Sequence, residues 1–257
     1  MELGLQGKVA LVTGATRGIG RAIVEELASE GCQLMLAARG QAGLDETAAA
    51  LQARGVPVAT CAVDVTQLAD LERLVAATTE RYGGLDVLIS NAGASHGMGI
   101  EATTEEDWRA AIDLNVLAGA RLARLVIPVM RARGGGSIVF IASIYGRELG
   151  GPRISYNTTK AGLIAMSKML ARDHAKDNIR VNTIAPGSIL FPGGAWERRQ
   201  QADPEGIAAF VKAEMPFGRF GRPEEVAAVT VFVASPRASL VTGTCINVDG
   251  CQSRSNI

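Results

Sequence analysis

Tyr156 and Lys160 stand four residues apart inside a run of helical pattern. On a helix that spacing stacks both side chains on one face. A free phenol titrates near about 10 and carries protons poorly at neutral pH, but a neighbouring ammonium favours the phenolate. Standing alone, a Tyr-x-x-x-Lys is an ordinary amphipathic pair. A second segment is equally suggestive: the apolar run Val9–Val12 enters Thr13-Gly14-Ala15-Thr16-Arg17-Gly18-Ile19-Gly20, and a helical pattern follows. Glycines there allow a tight turn, close approach of a phosphate, and close packing of helix on strand. The helix start then offers free N–H groups and a partial positive charge to a pyrophosphate. The spacing is G-x-x-x-G-x-G, not the commoner G-x-G-x-x-G.

Short β-branched runs alternate with longer helical patterns along the chain. Strands are expected at Lys8–Thr13, Gln33–Ala38, Val58–Val63, Asp86–Ser90, Ser137–Ala142, Arg180–Ile184 and Thr244–Val248, most of them almost wholly apolar, as in strands covered on both faces. Helices are expected at Gly20–Glu30, Leu44–Arg54, Leu68–Tyr82, Glu105–Arg131, Ser155–Lys176 and Glu224–Ala234. Thr103-x-x-Glu106 reads as a capping box, Pro223 suits a first turn, and Gly31, Gly55 and Gly83 sit where helices end. This alternation gives an α/β fold: a doubly wound, Rossmann-type parallel sheet of seven strands with helices on both faces. No linker, repeat or charge block divides the chain, so one domain is expected over 1–257. The irregular stretch around 188–216, with a helical-looking Trp196–Gln201, reads as a substrate lid.

Composition narrows the function. Lys+Arg and Asp+Glu number 26 each and aromatics make up 4% of the chain, so neither the electrostatic footprint nor the stacking platform of a nucleic-acid binder is present. Two histidines and four cysteines without a C-x-x-C pair argue against a zinc site. The scattered cysteines read as reduced thiols, no apolar leader precedes Val9, and no apolar run is long enough for a bilayer, so a cytoplasmic protein without membrane contact is expected.

The glycine loop, with the motifs that follow it in order, resembles the classical short-chain dehydrogenase/reductase (SDR) family over Gly7 to Gly250. Asp64 follows the third strand, where the family places an acid near the adenine, with Val65 beside it. Ser90-Asn91-Ala92-Gly93 follows the fourth strand as a variant of N-N-A-G. Asn115 lies in the next long helix, Ser143 ends the fifth strand, Tyr156-x-x-x-Lys160 opens a helix, and Pro186-Gly187 closes the sixth strand. The resemblance implies that Tyr156 protonates a carbonyl oxygen while nicotinamide C4 delivers hydride, and that Ser143 hydrogen-bonds the same oxygen. It gives Lys160 a bond to the nicotinamide ribose and Asn115 a relay water. Gly14, Thr16, Gly18, Ile19, Gly20, Asn91, Ala92 and Gly93 would line the dinucleotide. Where members often have a threonine contacting the carboxamide, this chain has Phe191, so either the backbone of Ile189 with Ser188 supplies that contact or the lid adopts a different course. Cys251 replaces a glycine that commonly follows Asp-Gly. A homodimer or homotetramer is also implied, packed through Glu105–Arg131 and Ser155–Lys176.

The second strand ends Ala37-Ala38-Arg39, without the acid that NAD-using members place against the ribose 2′-OH. Arg39 and Arg17 are instead suited to a 2′-phosphate, because planar guanidiniums bind phosphate bidentately. The expected cofactor is therefore NADP(H). His96, Met98, Ile144, Tyr145, Arg147, Leu149, Phe191 and Trp196 are candidate substrate contacts, and their mostly apolar character suggests a ketone or secondary alcohol with a hydrophobic or aromatic body. The alternative is a 3-oxoacyl-carrier-protein reductase, docking an acidic carrier on Arg131 and Arg133. Gly93-Ala94-Ser95-His96-Gly97 matches the hydrolase G-x-S-x-G with His174 downstream, yet that motif needs a helix starting at the serine. A non-catalytic dinucleotide-binding protein would be expected to lack one of Asn115, Ser143, Tyr156 and Lys160, and all four are present.

Overall fold

The structure, a computed structural model, describes residues 2–256; Met1 and Ile257 lie outside the described residues. Its strands are β1 (Val9–Thr13), β2 (Gln33–Ala38), β3 (Val58–Ala62), β4 (Val87–Ser90), β5 (Gly136–Ile141), β6 (Ile179–Pro186) and β7 (Cys245–Val248). They form one seven-stranded sheet in the order β3-β2-β1-β4-β5-β6-β7, every pair parallel. The helices are α1 (Gly18–Ser29), α2 (Gln41–Gln52), α3 (Leu68–Tyr82), the single turn α4 (Gly99–Ala102), α5 (Glu105–Ile112), α6 (Ala118–Ala132), α7 (Ile154–His174), α8 (Ala195–Ala202), α9 (Pro204–Glu214) and α10 (Pro223–Ala234).

Both faces of the sheet are buried, which is why its strands read as unbroken apolar runs. Along β1, Ala10 and Val12 enter a core shared with α1, α2 and α10, while Val9 and Leu11 enter a second core shared with α3, α6 and α7. The chain winds outward through β1, β2 and β3, then returns to add β4 on the other flank of β1. The crevice beyond the C-terminal ends of β1 and β4 is thus a topological switch point, where open α/β sheets bind ligands.

The expected helix over 105–131 is not continuous. Residues Asp113–Leu117 form a π-helical turn between α5 and α6, a bulge that such helices commonly reserve for functional positions. The capping box falls one residue later than expected: Thr104 accepts from Asp107 N, and the Asp107 carboxylate accepts from Thr104 N. The lid region 188–216 holds two helices instead of one. Asp203 caps the second by accepting from Gly206 N at 2.9 Å, with Pro204 in its first turn.

Cys251 adopts φ = 65°, one of two non-glycine residues in the left-handed region among the described residues. That conformation costs an L-residue roughly 1–2 kcal/mol, partly offset by the extra chain entropy a glycine loses on folding, roughly 0.5–1 kcal/mol. Cys251→Gly is therefore expected to raise the melting temperature by about 1–4 °C and Cys251→Val to lower it. Thermal unfolding followed by circular dichroism checks both; a lower melting temperature for the glycine variant contradicts the strain argument.

Candidate active site

The glycine loop is built against β4. Thr13 Oγ1 accepts from Asn91 N at 3.0 Å and Ala92 N at 3.2 Å, and Asn91 Nδ2 donates to Thr13 O at 3.0 Å and Gly14 O at 3.2 Å. Asn91 thus spends its amide bracing the loop. A β-carbon on Gly14 would lie 2.8 Å from Asn91 Nδ2, and one on Gly20 would fall on the Gly14 carbonyl. Helix α1 begins with no side-chain cap and no acidic residue in its first turn. Its leading N–H groups remain available to an anion, which is the fit a dinucleotide pyrophosphate requires.

Asp64 lies beyond β3 in an Asx turn, its Oδ1 accepting from Thr66 N at 3.0 Å and Thr66 Oγ1 at 2.8 Å; Val65 is buried. Arg17 at the N-cap of α1 and Arg39 just past β2 are both exposed, and neither forms an ion pair among the described residues. Pro186 ends β6, and Gly187 N donates to Val248 O at 3.1 Å. Ile189 is buried, tied in by Leu190 N to Gly221 O and Gly221 N to Ser188 O.

Ser143 follows β5, buried, with its Oγ accepting from Tyr145 N at 3.2 Å and hydrogen-bonded to the Tyr156 phenol. Tyr156 and Lys160 occupy one face of α7, the ammonium 5.6 Å from the phenol ring centroid. Lys160 is 3% exposed and donates to Ile141 O at 2.8 Å. Burial lowers its pKa to about 8. The phenol behaves differently from the expectation that the ammonium would favour the phenolate. In the protein itself burial pushes Tyr156 above its ordinary range, and the Ser143 hydrogen bond only partly opposes this.

Asn115 sits in the π-helical turn, and its amide is engaged at both ends. Nδ2 donates to Ala94 O at 2.9 Å and Thr159 Oγ1 at 3.1 Å, and Oδ1 accepts from Ala94 N at 3.1 Å. This pins the segment after β4 to α7, beside the ammonium: a β-carbon on Gly93 would lie 3.0 Å from Asn115 Oδ1 and 3.1 Å from Lys160 Nζ. Thr13 and Thr159 are the residues that sequence reasoning passed over. Each lies inside a recognised motif; for Thr13 a hydroxyl closing the apolar run Val9–Val12 was the available signal, whereas Thr159 stands among polar residues and carried none.

The substrate candidates divide. His96 lies on the loop after Gly93, its carbonyl accepting from Ser155 Oγ at 2.5 Å and its Nε2 buried without a partner. Tyr145 is half-buried next to Ser143, with Gly150 packed on its ring. Phe191 is turned toward the glycine loop, where a β-carbon on Gly18 would lie 2.7 Å from its ring. Trp196 belongs to the lid's own core, stacked on Phe210 at 4.8 Å and tilted against Phe220 at 5.1 Å. That packing gives α8 and α9 the apolar seam that holds them together. Arg147 donates through Nη1 to Cys245 O at 3.0 Å and Asn247 Oδ1 at 2.6 Å, which ties it to β7. No helix starts at Ser95, and His174 pairs with Asp177 at 2.9 Å, so the hydrolase geometry is not formed. Among the described residues no cluster suits a metal ion, and no helix is long and apolar enough to cross a membrane.

A doubly wound sheet with a glycine-rich loop and a Ser-Tyr-Lys cluster at its switch point defines a dinucleotide-dependent oxidoreductase. Residues 14–251 match the family model described as enoyl-(acyl carrier protein) reductase. Dehydrogenase/reductase SDR family member 4 of Oryctolagus cuniculus is 39% identical over 96% of this chain and 94% of its own length. The 3-oxoacyl-[acyl-carrier-protein] reductase of Thermotoga maritima is 36% identical over 96% and 98%. The solved L-sorbose reductase of Gluconobacter frateurii, complexed with NADPH and L-sorbose, superposes with a TM-score of 0.95 at 39% identity, covering 99% of this chain and all of that one. The chain belongs to the short-chain dehydrogenase/reductase family, whose members are oxidoreductases acting on carbonyl and alcohol groups.

The buried ammonium has a consequence for stability. Lys160 titrates near 10.5 when unfolded and near 8 when folded. Between those values the unfolded chain binds more protons, so stability rises with pH, by up to about 1.4 kcal/mol per unit. Urea denaturation from pH 7 to 10 should show the wild type gaining stability with pH relative to Lys160→Met, which should also be the more stable protein at pH 7; the opposing slope from buried Cys32, raised to about 12, is common to both. Parallel pH profiles for the two proteins would contradict the assignment.

Proposed function

We propose that this chain is an NADP(H)-dependent reductase of a ketone to a secondary alcohol, or the reverse, with Tyr156 as acid and base. The observation that carries the reading is the Tyr156 phenol beside Ser143, with the Lys160 ammonium 5.6 Å from its ring on the same face of α7. Ser143 and Tyr156 hold the substrate oxygen from two directions, a two-donor site for charge developing on oxygen. Lys160 binds the nicotinamide ribose. Asn115 and Asn91 act as frame, keeping Gly93 and the glycine loop in place. His96 and Tyr145 border the substrate; Ser188, whose N–H and hydroxyl are both held by Gln252, leaves the carboxamide to Ile189. Nicotinamide C4, when the dinucleotide is bound, supplies or takes up the hydride.

Arg17 and Arg39 support the choice of NADP(H), with no acid at the end of β2 and no carboxylate engaging either guanidinium among the described residues. Carrier-bound substrate is the weaker reading. Arg131 pairs with Asp177 and Arg133 with Asp86, and both acids precede their strands, at the edge of the sheet opposite Tyr156. Half-exposed Ile112, Leu117 and Ile154 with exposed Met169, on α5 to α7, suit packing against a second copy in a dimer or tetramer.

Fluorescence titration with NADPH and NADH tests the cofactor. Preference for NADPH of at least tenfold, about 1.4 kcal/mol, is expected, and Arg39→Asp should erase it. In a ketone-reduction assay Tyr156→Phe should lose at least about a hundredfold in kcat. Tighter NADH binding by the wild type overturns the cofactor reading, and an active Tyr156→Phe overturns the chemistry.

A further inference from the structure

Beyond β7 the chain folds back over the site. The Asp249 carboxylate accepts from Cys251 N at 3.0 Å and Ser253 N at 2.9 Å, shaping residues 249–255 into a hook. Three segments of the active site are fastened to it. Ser188, next to Pro186-Gly187, donates its N–H to Gln252 Oε1 at 2.7 Å, and its hydroxyl accepts from Gln252 Nε2 at 3.0 Å; both residues are buried. Glu148 Oε2 accepts from Ser253 Oγ at 2.9 Å, Arg254 N at 2.8 Å and Ser255 N at 3.0 Å. The Arg254 guanidinium reaches Glu214 at the end of α9 at 3.1 Å.

These fastenings are unequal. The Arg254–Glu214 pair is solvent-exposed and contributes little. Glu148 is different, because one half-buried carboxylate oxygen gathers two backbone N–H groups and a hydroxyl, charge-assisted bonds that hold geometry. Glu148 is also locked to the catalytic turn: its N–H donates to Ile144 O at 3.2 Å, and Gly146 N donates to Ser143 O at 2.9 Å. The same turn is held to β7 through Arg147. Movement of the hook therefore moves the turn that begins at Ser143.

We propose that residues 249–255 form a positioning hook for the Ser143 hydroxyl, with Glu148 as the positioning residue that anchors it. The inference rests on the role given above to Ser143, and the test separates the two. Kinetics are compared for the wild type, Glu148→Ala, Glu148→Gln, deletion of residues 253–257, Ser143→Ala, and Glu148→Ala combined with each of the last two. Glu148→Ala should lower kcat for ketone reduction about ten- to a hundredfold, the cost typical of a small misplacement, with NADPH affinity unchanged. Glu148→Gln should restore most of it, since an amide oxygen accepts the same bonds. The deletion should match Glu148→Ala and add nothing to it, and in the Ser143→Ala background Glu148→Ala should change kcat less than about twofold. Equal losses in both backgrounds, or a folded deletion variant with wild-type kcat, overturn the hook. A wild-type rate for Ser143→Ala overturns the serine's role and the hook with it. Should Glu148→Ala fail to fold, Glu148→Gln and the deletion carry the same comparison.

Discussion

A cation kept dry at the end of a sheet is the constraint around which this site is arranged. The Lys160 ammonium has left water, and burial alone accounts for its lowered pKa. A carboxylate beside it would restore the charge but fix the proton, since a buried ion pair separates only at high cost. The structure offers a neutral carbonyl, Ile141 O, and the face of the Tyr156 ring instead. That choice leaves the ammonium near its titration point. It also demands space, which glycines provide: a side chain at Gly93 would crowd the ammonium, and one at Gly146 would meet the Lys160 backbone at 2.7 Å.

Neutral amides and hydroxyls then build the frame. Asn91 joins the ends of β1 and β4; Asn115 joins the segment after β4 to α7. An amide suits both tasks because it donates from one end and accepts at the other, satisfying two backbone groups without importing charge. The π-helical turn belongs to the same solution. A regular helix over 105–131 would present its residues at a constant angular step, whereas one widened turn lets Asn115 face Ala94 and Thr159 while α6 still buries Leu122 and Val126.

How much of this was legible in the sequence follows from what each feature depends on. Period and composition are local, so the seven strands and the helices flanking them could be read to within a residue or two at most ends. The glycine loop, Ser143, Tyr156 and Lys160 were legible because their spacing carries chemistry. The π-helical turn was not, since its cause is a partner loop distant in sequence. Helix α9 was not read for a related reason: its apolar face is completed only where Phe210 meets Trp196 and Phe220. For Phe191, counting residues locates a position along the chain, while its packing beside Gly18 of the glycine loop depends on the fold.

Charge placement separates the two edges of the sheet. At the N-terminal edge Asp86 gathers Lys8 and Arg133, and Asp177 gathers Arg131 and is hydrogen-bonded to the His174 ring, so the cations there are answered by acids. At the opposite edge Arg17 and Arg39 stand without a carboxylate partner among the described residues, next to the uncapped start of α1. A chain of zero net charge can thus still present a positive corner, because neutrality overall is reached by pairing at one edge and not at the other. Helix dipole and guanidiniums add in the same direction at that corner, and phosphate is the group that profits from both. The glycine loop with Arg17 and Arg39, and the cluster of Ser143, Tyr156 and Lys160, are built from different residues, so the attraction for an anionic dinucleotide can be altered without touching that cluster.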